Sequence, residues 1–385
     1  MLSRFPALDG LRALAVTMVF LDHFGGGAHG GLALRLLDVV RRHLWTGVDL
    51  FFVLSGFLIT GILYDTRDDS RYFFRFYARR SLRIFPVFYL LAALLVALTP
   101  VFAFQWRPLQ LTFLAYIGNF FANHDFALYQ VPSARHAAAT VFIGHLWSLC
   151  VEEQFYLLWP LAVWLIRDRR KLIATALGLS ALALLLRIGM VCLASPVVAE
   201  RWIIRTLPFR MDGLLLGGVL ALLLRGERAA VWQARCKGIF LAGLVAVLNI
   251  FVVTPAYDAP LLLTAGLTMT AVASAGLIGM VLPAESMAGR LFSLPPLRRL
   301  GKYSYGFYIY HVLFGFAWIA FLVALEQRLH SVAVAGVVAI ATNFTVTYLV
   351  ARLSYEQYEV RFLRLKPRFD YDLETARHQH ADVSR

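Results

Sequence analysis

The run LIATALGLSALALLLRIGMVCL, residues 172–193, decides the fold class of this chain. Arg187 is its only charged residue. At 1.5 Å per residue, a helix of this length crosses the roughly 30 Å of hydrocarbon in a bilayer. Because a lipid interior offers the backbone no water, an apolar run of this kind is stable there as a helix. The sequence therefore predicts a transmembrane helix at this point.

Similar runs recur along almost all of the 385 residues, of which 60% are hydrophobic and only 16% are charged. This apolar surface exceeds what one soluble core can bury. We expect an all-α polytopic membrane protein of about ten spans, near residues 8–24, 46–64, 84–103, 146–166, 172–193, 208–225, 238–254, 261–282, 304–325 and 332–353. The apolar stretch 109–121 is short for a crossing, so we interpret it as interfacial or re-entrant.

The basic residues orient these spans, because Lys and Arg are retained on the cytoplasmic side of a membrane. With both termini in the cytoplasm, the inner segments hold roughly 25 Lys and Arg and the outer segments roughly 8. We therefore predict a transmembrane domain over residues 1–365 in the cytoplasmic (inner) membrane. A polar cytoplasmic tail, residues 366–385, follows it and is expected to fray.

The formal net charge of +14 is also found in nucleic-acid-binding proteins. Here the basic residues lie at span ends, where they face the anionic inner leaflet. We predict contact with membrane lipid and no nucleic-acid partner. Cys150, Cys192 and Cys236 form no close pair, so we expect neither a disulfide nor a metal site.

The first span, FPALDGLRALAVTMVFLDHF, carries Arg12 and His23 eleven residues apart. Eleven steps of 100° return to nearly the same helix face, so both side chains share one stripe, separated by roughly 16 Å. Ionisable groups inside a membrane are costly and usually functional. Two simpler interpretations stay open: an ion pair of Arg12 with Asp9, and an interfacial imidazole for His23.

Two acids lie at the same outer depth as His23. Asp49 begins the second span and is positioned to orient His23, although it also suits a helix N-terminus. Glu152 lies in HLWSLCVEEQFYL between Ser148 and Tyr156, one turn away on either side, so it faces the more polar stripe of the fourth span. A structural bond from Glu152 to an arginine of another span is the alternative.

Arg80 and Arg83 lie one turn apart in RYFFRFYARRSLRIFP, at the predicted start of the third span. Two guanidinium groups at that spacing suit a clamp for phosphates. The positive-inside bias alone also explains basic residues in this segment.

Further polar residues lie in or near the fourth, sixth and ninth spans. We expect them to bind substrate: Trp147, Ser148, Asp212, Tyr308 and His311. Tyr303 and Tyr305, nearer a span end, are better explained as an interfacial aromatic belt.

Taken together, these segments resemble the membrane-bound acyltransferase-3 family, which O-acylates surface polysaccharides, lipid-linked glycans and some secreted small molecules. The resemblance runs almost end to end. It rests on LDGLRA with Arg12 and His23, GVDLFFVLSGFLI, the Arg80 and Arg83 pair, HLWSLCVEEQFYL and YSYGFYIYH.

The resemblance implies a donor acyl-CoA, acetyl-CoA or another, bound from the cytoplasm, with Arg80 and Arg83 near its phosphates and His23 as the catalytic group. Arg12 is a further candidate for donor binding. We expect His23 either to take the proton of the acceptor hydroxyl or to carry the acyl group covalently. The acceptor is expected to be a glycan, a lipid-linked sugar or a secreted small molecule.

A polytopic transporter or flippase is the alternative function, because intramembrane charges also mark transport routes. Transporters of this size are often built from internal repeats, and no self-similar halves are visible in the sequence. A scaffold without chemistry would leave Arg12, His23, Asp49 and Glu152 as unexplained costs.

Overall fold

The computed structural model describes residues 5–24, 41–102, 104–121, 127–129, 140–254, 258–313 and 315–371. The chain in these ranges is almost entirely helical. The helices are α1 Pro6–Phe24, α2 Gly47–Thr66, α3 Tyr72–Phe102, α4 Pro108–Leu111, α5 Trp147–Leu165, α6 Arg169–Leu193, α7 Pro196–Arg205, α8 Leu207–Leu223, α9 Ala229–Val253, α10 Leu267–Val281, α11 Met287–Phe292, α12 Pro295–Tyr310, α13 Gly315–Leu329, α14 Val332–Ser354 and α15 Val360–Leu363. Two short strands, β1 Ala127–Tyr129 and β2 Thr140–Phe142, pair antiparallel.

The expectation of a helical, multi-pass membrane protein is confirmed. Six helical stretches in the described residues are long and apolar enough to cross a membrane: Leu44–Thr66, Tyr72–Phe102, Arg169–Leu193, Ala229–Val253, Leu262–Val281 and Val332–Leu363. The helices α7 and α8, bent by 40° at their junction, are a seventh candidate. The predicted spans 8–24 and 146–166 are also helices, α1 and α5, but neither is among these candidates. The count of ten therefore stays a prediction.

Three predicted elements have different bounds in the structure. The third helix begins at Tyr72 rather than near residue 84, so Arg80 and Arg83 lie inside a helix and not at its N-terminus. The predicted span 304–325 is divided between α12 and α13 by a break after Tyr310. The stretch 109–121 contains only the end of α4 and two four-residue 3₁₀ turns, each too short to cross a bilayer.

The helix α2 lies at the centre of the bundle, and 83% of its most apolar window is buried, against 22% for α6, α9 and the stretch that begins with α14. Close contact with α8 depends on glycine. A Cβ atom added at Gly56 would lie 1.7 Å from the Leu214 carbonyl oxygen, and one at Gly217 would lie 2.1 Å from the Val53 carbonyl oxygen. Small residues therefore bring the two backbones together, as in other membrane helix pairs.

Loops that the charge pattern assigns to the cytoplasm contact one another at one end of the bundle. The Arg67 side chain donates a hydrogen bond to the Arg167 carbonyl at 2.7 Å, and Arg225 forms an ion pair with Asp65 at 2.7 Å. At the same end, the segment that follows α15 packs against α3, where Arg79 pairs with Asp370. The part of the tail described here, 366–371, is therefore ordered against the bundle, while residues 372–385 lie outside the described ranges.

Candidate functional site

A cavity of about 140 Å³ lies among α1, α2, α3, α5 and α12. Four of these helices, α1, α3, α5 and α12, contribute residues that the sequence analysis singled out. Its polar lining consists of Arg12, Ser55, Arg80, Arg83, Ser148, Glu152, Tyr156, Ser304, Tyr305 and Tyr308. Side chains of Val, Phe, Leu and Ile complete the wall. So many polar groups are seldom buried inside a membrane unless they bind a ligand or line a transport pathway.

One end of this cavity is basic. Arg12 extends into it from α1 and forms an ion pair with Asp9 at 2.7 Å, so the simple interpretation of Arg12 is confirmed, while its role in donor binding stays a prediction. Arg80 lies with its guanidinium carbon 4.0 Å from the centre of the Tyr156 ring, a cation–π contact. Arg83 lies 3.7 Å from the buried carboxylate of Glu359. Three guanidinium groups from two helices therefore meet at one end.

The middle of the cavity contains a hydrogen-bonded chain of hydroxyl and carboxyl groups. The Tyr156 hydroxyl lies 3.0 Å from Oε2 of Glu152, and Ser55 of α2 contacts the same hydroxyl. The predicted polar stripe of α5 is thus turned into the cavity. Arg187 and Arg210, two arginines of other spans that could have bonded Glu152 instead, pair with Asp212 and Asp49.

The far end of the cavity is closed by a pair of hydroxyl groups. The Tyr308 hydroxyl donates to the His145 carbonyl at 2.8 Å and lies 2.5 Å from Oγ of Ser148. Because the phenol has only one proton, Ser148 is the donor in that second contact. Ser148 and Tyr156 lie eight residues apart on α5, so the polar lining continues over roughly 12 Å of this helix.

Three imidazole rings lie directly beyond this hydroxyl pair. The His23 ring contacts His311 edge to face at 5.0 Å between centres, and His311 lies 5.5 Å from both His145 and Tyr308. His23 itself is exposed and does not line the cavity. Arg12 and His23 are therefore linked through the polar lining and His311, rather than by one open space. No metal-binding group of three His, Cys, Asp or Glu residues occurs in the described ranges.

Hydrogen bonds to carbonyl oxygens define the tautomers of two of these rings. The Nδ1 atom of His23 lies 2.8 Å from the Val19 carbonyl oxygen, and Nδ1 of His311 lies 2.6 Å from that of Tyr308. A carbonyl oxygen only accepts, so Nδ1 carries the proton in both neutral rings. Nε2 of His23 then holds a lone pair, which is the state that a general base requires.

The contact expected between Asp49 and His23 is not formed. Asp49 is buried and accepts a hydrogen bond from Arg210 of α8 at 2.8 Å. Asp212, expected to bind substrate, instead pairs with the fully buried Arg187 of α6 at 2.6 Å. Both carboxylates neutralise arginines between helices, which explains their burial without a ligand.

Trp147 also differs from the expectation. Its ring does not line the cavity and lies against Arg210, with 5.8 Å between the guanidinium carbon and the ring centre. Of the five residues expected to bind substrate, only Ser148 and Tyr308 line the cavity, and His311 packs against Tyr308.

The sequence analysis missed other residues of the site. Tyr305, interpreted as part of an aromatic belt, lines the cavity and donates a hydrogen bond to the Ile84 carbonyl at 2.8 Å. Tyr156 was detectable by its position one turn after Glu152. His145 precedes α5 by two residues, and no periodicity links it to His311, which lies 166 positions later in the sequence.

Comparison with known proteins decides the family. The profile of an acyltransferase domain family, acyltransferase 3, matches residues 5–352. The chain belongs to the acyltransferase 3 family. The resemblance stated from the sequence motifs is thereby confirmed, and it covers α1 to α14 and every residue that lines the cavity.

Several curated proteins are similar to most of the chain. It is 32% identical over 324 residues to the putative peptidoglycan O-acetyltransferase YrhL of Bacillus subtilis, and 30% identical over 321 residues to the peptidoglycan O-acetyltransferase OatA of Listeria monocytogenes. Identity to the O-acetyltransferase OatA of Staphylococcus aureus is 27% over 320 residues. Each match covers 80% of this chain and 48% to 50% of the relative, so the chain spans about half the length of these proteins. No solved structure matches the chain significantly.

Proposed function

We propose that this protein is a membrane O-acyltransferase that moves an acetyl or other short acyl group from cytoplasmic acyl-CoA to a hydroxyl group of a glycan or glycolipid at the extracytoplasmic side. One observation carries the proposal. A single polar cavity begins at Arg12, Arg80 and Arg83 and ends at Ser148 and Tyr308, against the histidines. Cations at one end suit the phosphates of CoA, and imidazoles at the other suit proton transfer.

In this proposal the arginines hold the donor and the cavity guides its acyl end. Arg80 and Arg83 bind phosphates as delocalised cations with several donors each, and Arg12 adds a third. The pantetheine arm then lies along α5, past Tyr156 and Glu152. The thioester reaches the Ser148 and Tyr308 pair, next to His311.

The transfer requires one proton acceptor. His23, with its lone pair on Nε2, takes the proton of the acceptor hydroxyl while that oxygen attacks the thioester carbon. The carbon–sulfur bond breaks, and CoA leaves with the proton as a free thiol. A route through an acyl-imidazole uses the same residue in two half-reactions, and both routes require His23.

The acceptor and the membrane orientation complete the proposal. Two of the relatives are named peptidoglycan O-acetyltransferases, which supports a glycan acceptor. The excess of basic residues on one side supports ten spans with both termini in the cytoplasm, placed in the inner membrane. His311, Tyr308 and Ser148 are the residues we expect to meet the acceptor.

The test is thiol release by the purified protein in detergent, with acetyl-CoA, Ellman's reagent and peptidoglycan fragments. We expect acceptor-dependent release that is lost in His23→Ala, while His330→Ala, which removes an exposed histidine far along the chain, keeps full activity. Full activity in a folded His23→Ala protein would remove His23 from the mechanism. Movement of a glycan across vesicles without thioester consumption would support the transporter instead.

A further inference from the structure

The Arg83 guanidinium lines the basic end of the cavity and makes no hydrogen bond within the described ranges. Its carbon atom lies 5.9 Å from the centres of both the Tyr305 and the Tyr355 rings. Its Nη1 atom lies 3.7 Å from Oε2 of Glu359, a distance that suits an ion pair but is too long for a hydrogen bond. The N–H groups of Arg83 therefore stay available to a ligand while a carboxylate neutralises its charge.

Glu359, the carboxylate of this ion pair, is buried. Only 3% of the residue is exposed, and its Oε1 atom has no hydrogen-bond partner in the part of the chain that the structure describes. A Cβ atom added at Gly306 of α12 would lie 3.4 Å from Oε1, so the carboxylate packs against a helix that lines the cavity. A buried carboxylate is costly unless a cation neutralises it. Arg83 is the cation that does so here.

The backbone after α14 turns this residue inward. Residues Tyr355–Glu359 form one π-helical turn, a rare arrangement that is frequent at functional sites. Residues three apart on an α-helix are neighbours on its surface. In this wider turn, Glu356 is exposed and pairs with Arg352, whereas Glu359 is buried between α3 and α12. The π turn therefore separates two acids of one segment and directs the second toward Arg83.

The other two arginines of the cavity are held by closer contacts. Arg12 donates a hydrogen bond to Asp9 at 2.7 Å, and the Arg80 guanidinium carbon lies 4.0 Å from the centre of the Tyr156 ring. The two ring contacts of Arg83 are longer, at 5.9 Å. Of the three arginines, Arg83 therefore depends most on a carboxylate for its position.

We propose that Glu359 is a positioning residue of the donor site, which holds Arg83 in place to bind a phosphate of acyl-CoA; this inference rests on the proposed function. An arginine side chain is long and flexible, so ordering it during binding costs conformational entropy. Because Glu359 holds the guanidinium before the donor arrives, the phosphate meets a site that is already ordered. The residue lies beyond 352, where the family match ends, so the match does not assign it.

The experiment measures the dissociation constant of CoA by calorimetry on the full chain in detergent, for wild type, Glu359→Gln, Arg83→Gln and the double variant. We expect Glu359→Gln to weaken CoA binding roughly fivefold when Arg83 is present, as for two directly coupled residues. In the Arg83→Gln background the same change should have less than about a twofold effect, because the side chain that it positions is gone. Glu356→Gln removes the same charge from an exposed position of the same turn and is the matched control, expected to leave CoA binding unchanged.

Steady-state thiol release separates positioning from a loss of structure. Glu359→Gln should raise the KM for acetyl-CoA by roughly the same factor and change kcat by less than about twofold. A misfolded variant contains fewer active molecules, so its kcat falls instead. Should Glu359→Gln fail to fold, Glu359→Asp keeps the charge on a shorter side chain and replaces it in the same cycle. That variant is expected to weaken CoA binding only while Arg83 is present.

Three results would overturn the assignment. Equal CoA affinities for wild type and Glu359→Gln would remove Glu359 from the donor site and leave the proposed function intact. Tighter binding by Glu359→Gln would mean that the carboxylate competes with the phosphate for Arg83. Equal weakening in both backgrounds would mean that Glu359 acts through the fold and not through Arg83. A wild-type protein that binds no CoA would contradict the proposed function as well.

Discussion

Of the three arginines that line the cavity, Arg80 makes the most direct contact with the polar side chains in the middle of the cavity. Its guanidinium stacks on Tyr156, whose hydroxyl bonds to Glu152 and Ser55, so a donor phosphate bound there is adjacent to the polar wall that leads outward. Under the proposed function, truncation at this point would remove a phosphate contact and leave the imidazoles in place. A variant of this residue should therefore separate donor binding from chemistry.

We expect Arg80→Ala to raise the KM for acetyl-CoA at least roughly tenfold, as for the loss of a charged hydrogen bond, with a smaller change in kcat. Steady-state thiol release at varied acetyl-CoA gives both constants. Arg71→Ala removes a cation from an exposed position near the start of the same helix and should leave the KM unchanged. An unaltered KM in Arg80→Ala would refute the phosphate contact.

For single residues, the sequence predicted some positions in the site and missed others. Helical periodicity singled out Arg12, Glu152 and Tyr308, and all three line the cavity, because burial of polar groups inside a membrane has few explanations. It failed for Asp49 and Asp212, since depth along a helix does not say which neighbour a side chain faces. Arg187 and Arg210 needed partners as much as His23 did, and α2 turns Asp49 toward α8.

Among the helices, the cavity depends most on the close packing of α2 against α8. Phe52 and Ser55 of α2 line the cavity, while Gly56 beside them accepts the α8 backbone. An added methyl group at Gly56 would overlap the Leu214 carbonyl and push the helices apart. The position of the cavity wall on α2 thus depends on residue 56 being a glycine, which has no side chain.

We expect Gly56→Ala to destabilise the protein by about 1–3 kcal/mol, the usual cost of overpacking, and to lower its melting temperature in detergent. Gly178→Ala on α6 is the control, since an added Cβ there meets nothing within 4 Å. Alanine also favours a helix over glycine by up to about 1 kcal/mol, so this variant should be at least as stable as wild type. Equal melting temperatures for the two variants would contradict the close contact.

Hydropathy could not predict the break between α12 and α13. The residues around it stay apolar, but the backbone tightens: the amide of Leu313 bonds to the Tyr310 carbonyl and that of Gly315 to the Val312 carbonyl, three residues back. The His311 imidazole bonds to the Tyr308 carbonyl at the same place. A helix end here allows His311 to face His23, so the departure from a continuous span coincides with the site.

At the scale of the whole molecule, the proposed reaction needs two compartments. The donor arginines lie at the end of the bundle where 65–71, 167–169 and 366–371 meet, and the histidines lie toward the other end. Composition alone predicted a membrane protein with this asymmetry, because excess lysine and arginine mark one side. It could not predict that part of the tail packs against α3, since the contacts of Phe369 with Phe74 and of Asp370 with Arg79 have no periodic signature.

Sidedness is tested by single cysteines in a background in which Cys150, Cys192 and Cys236 are replaced by Ala or Ser. We expect Asp258→Cys, in the connection after α9, to react with a membrane-impermeant maleimide in intact spheroplasts. Asp168→Cys, in the turn before α6, should react only after the membrane is opened. Both positions are exposed, so the difference reports the compartment rather than burial. Labelling of Asp168→Cys from outside would place the arginine cluster away from cytoplasmic acyl-CoA, and the proposed direction of transfer would be wrong.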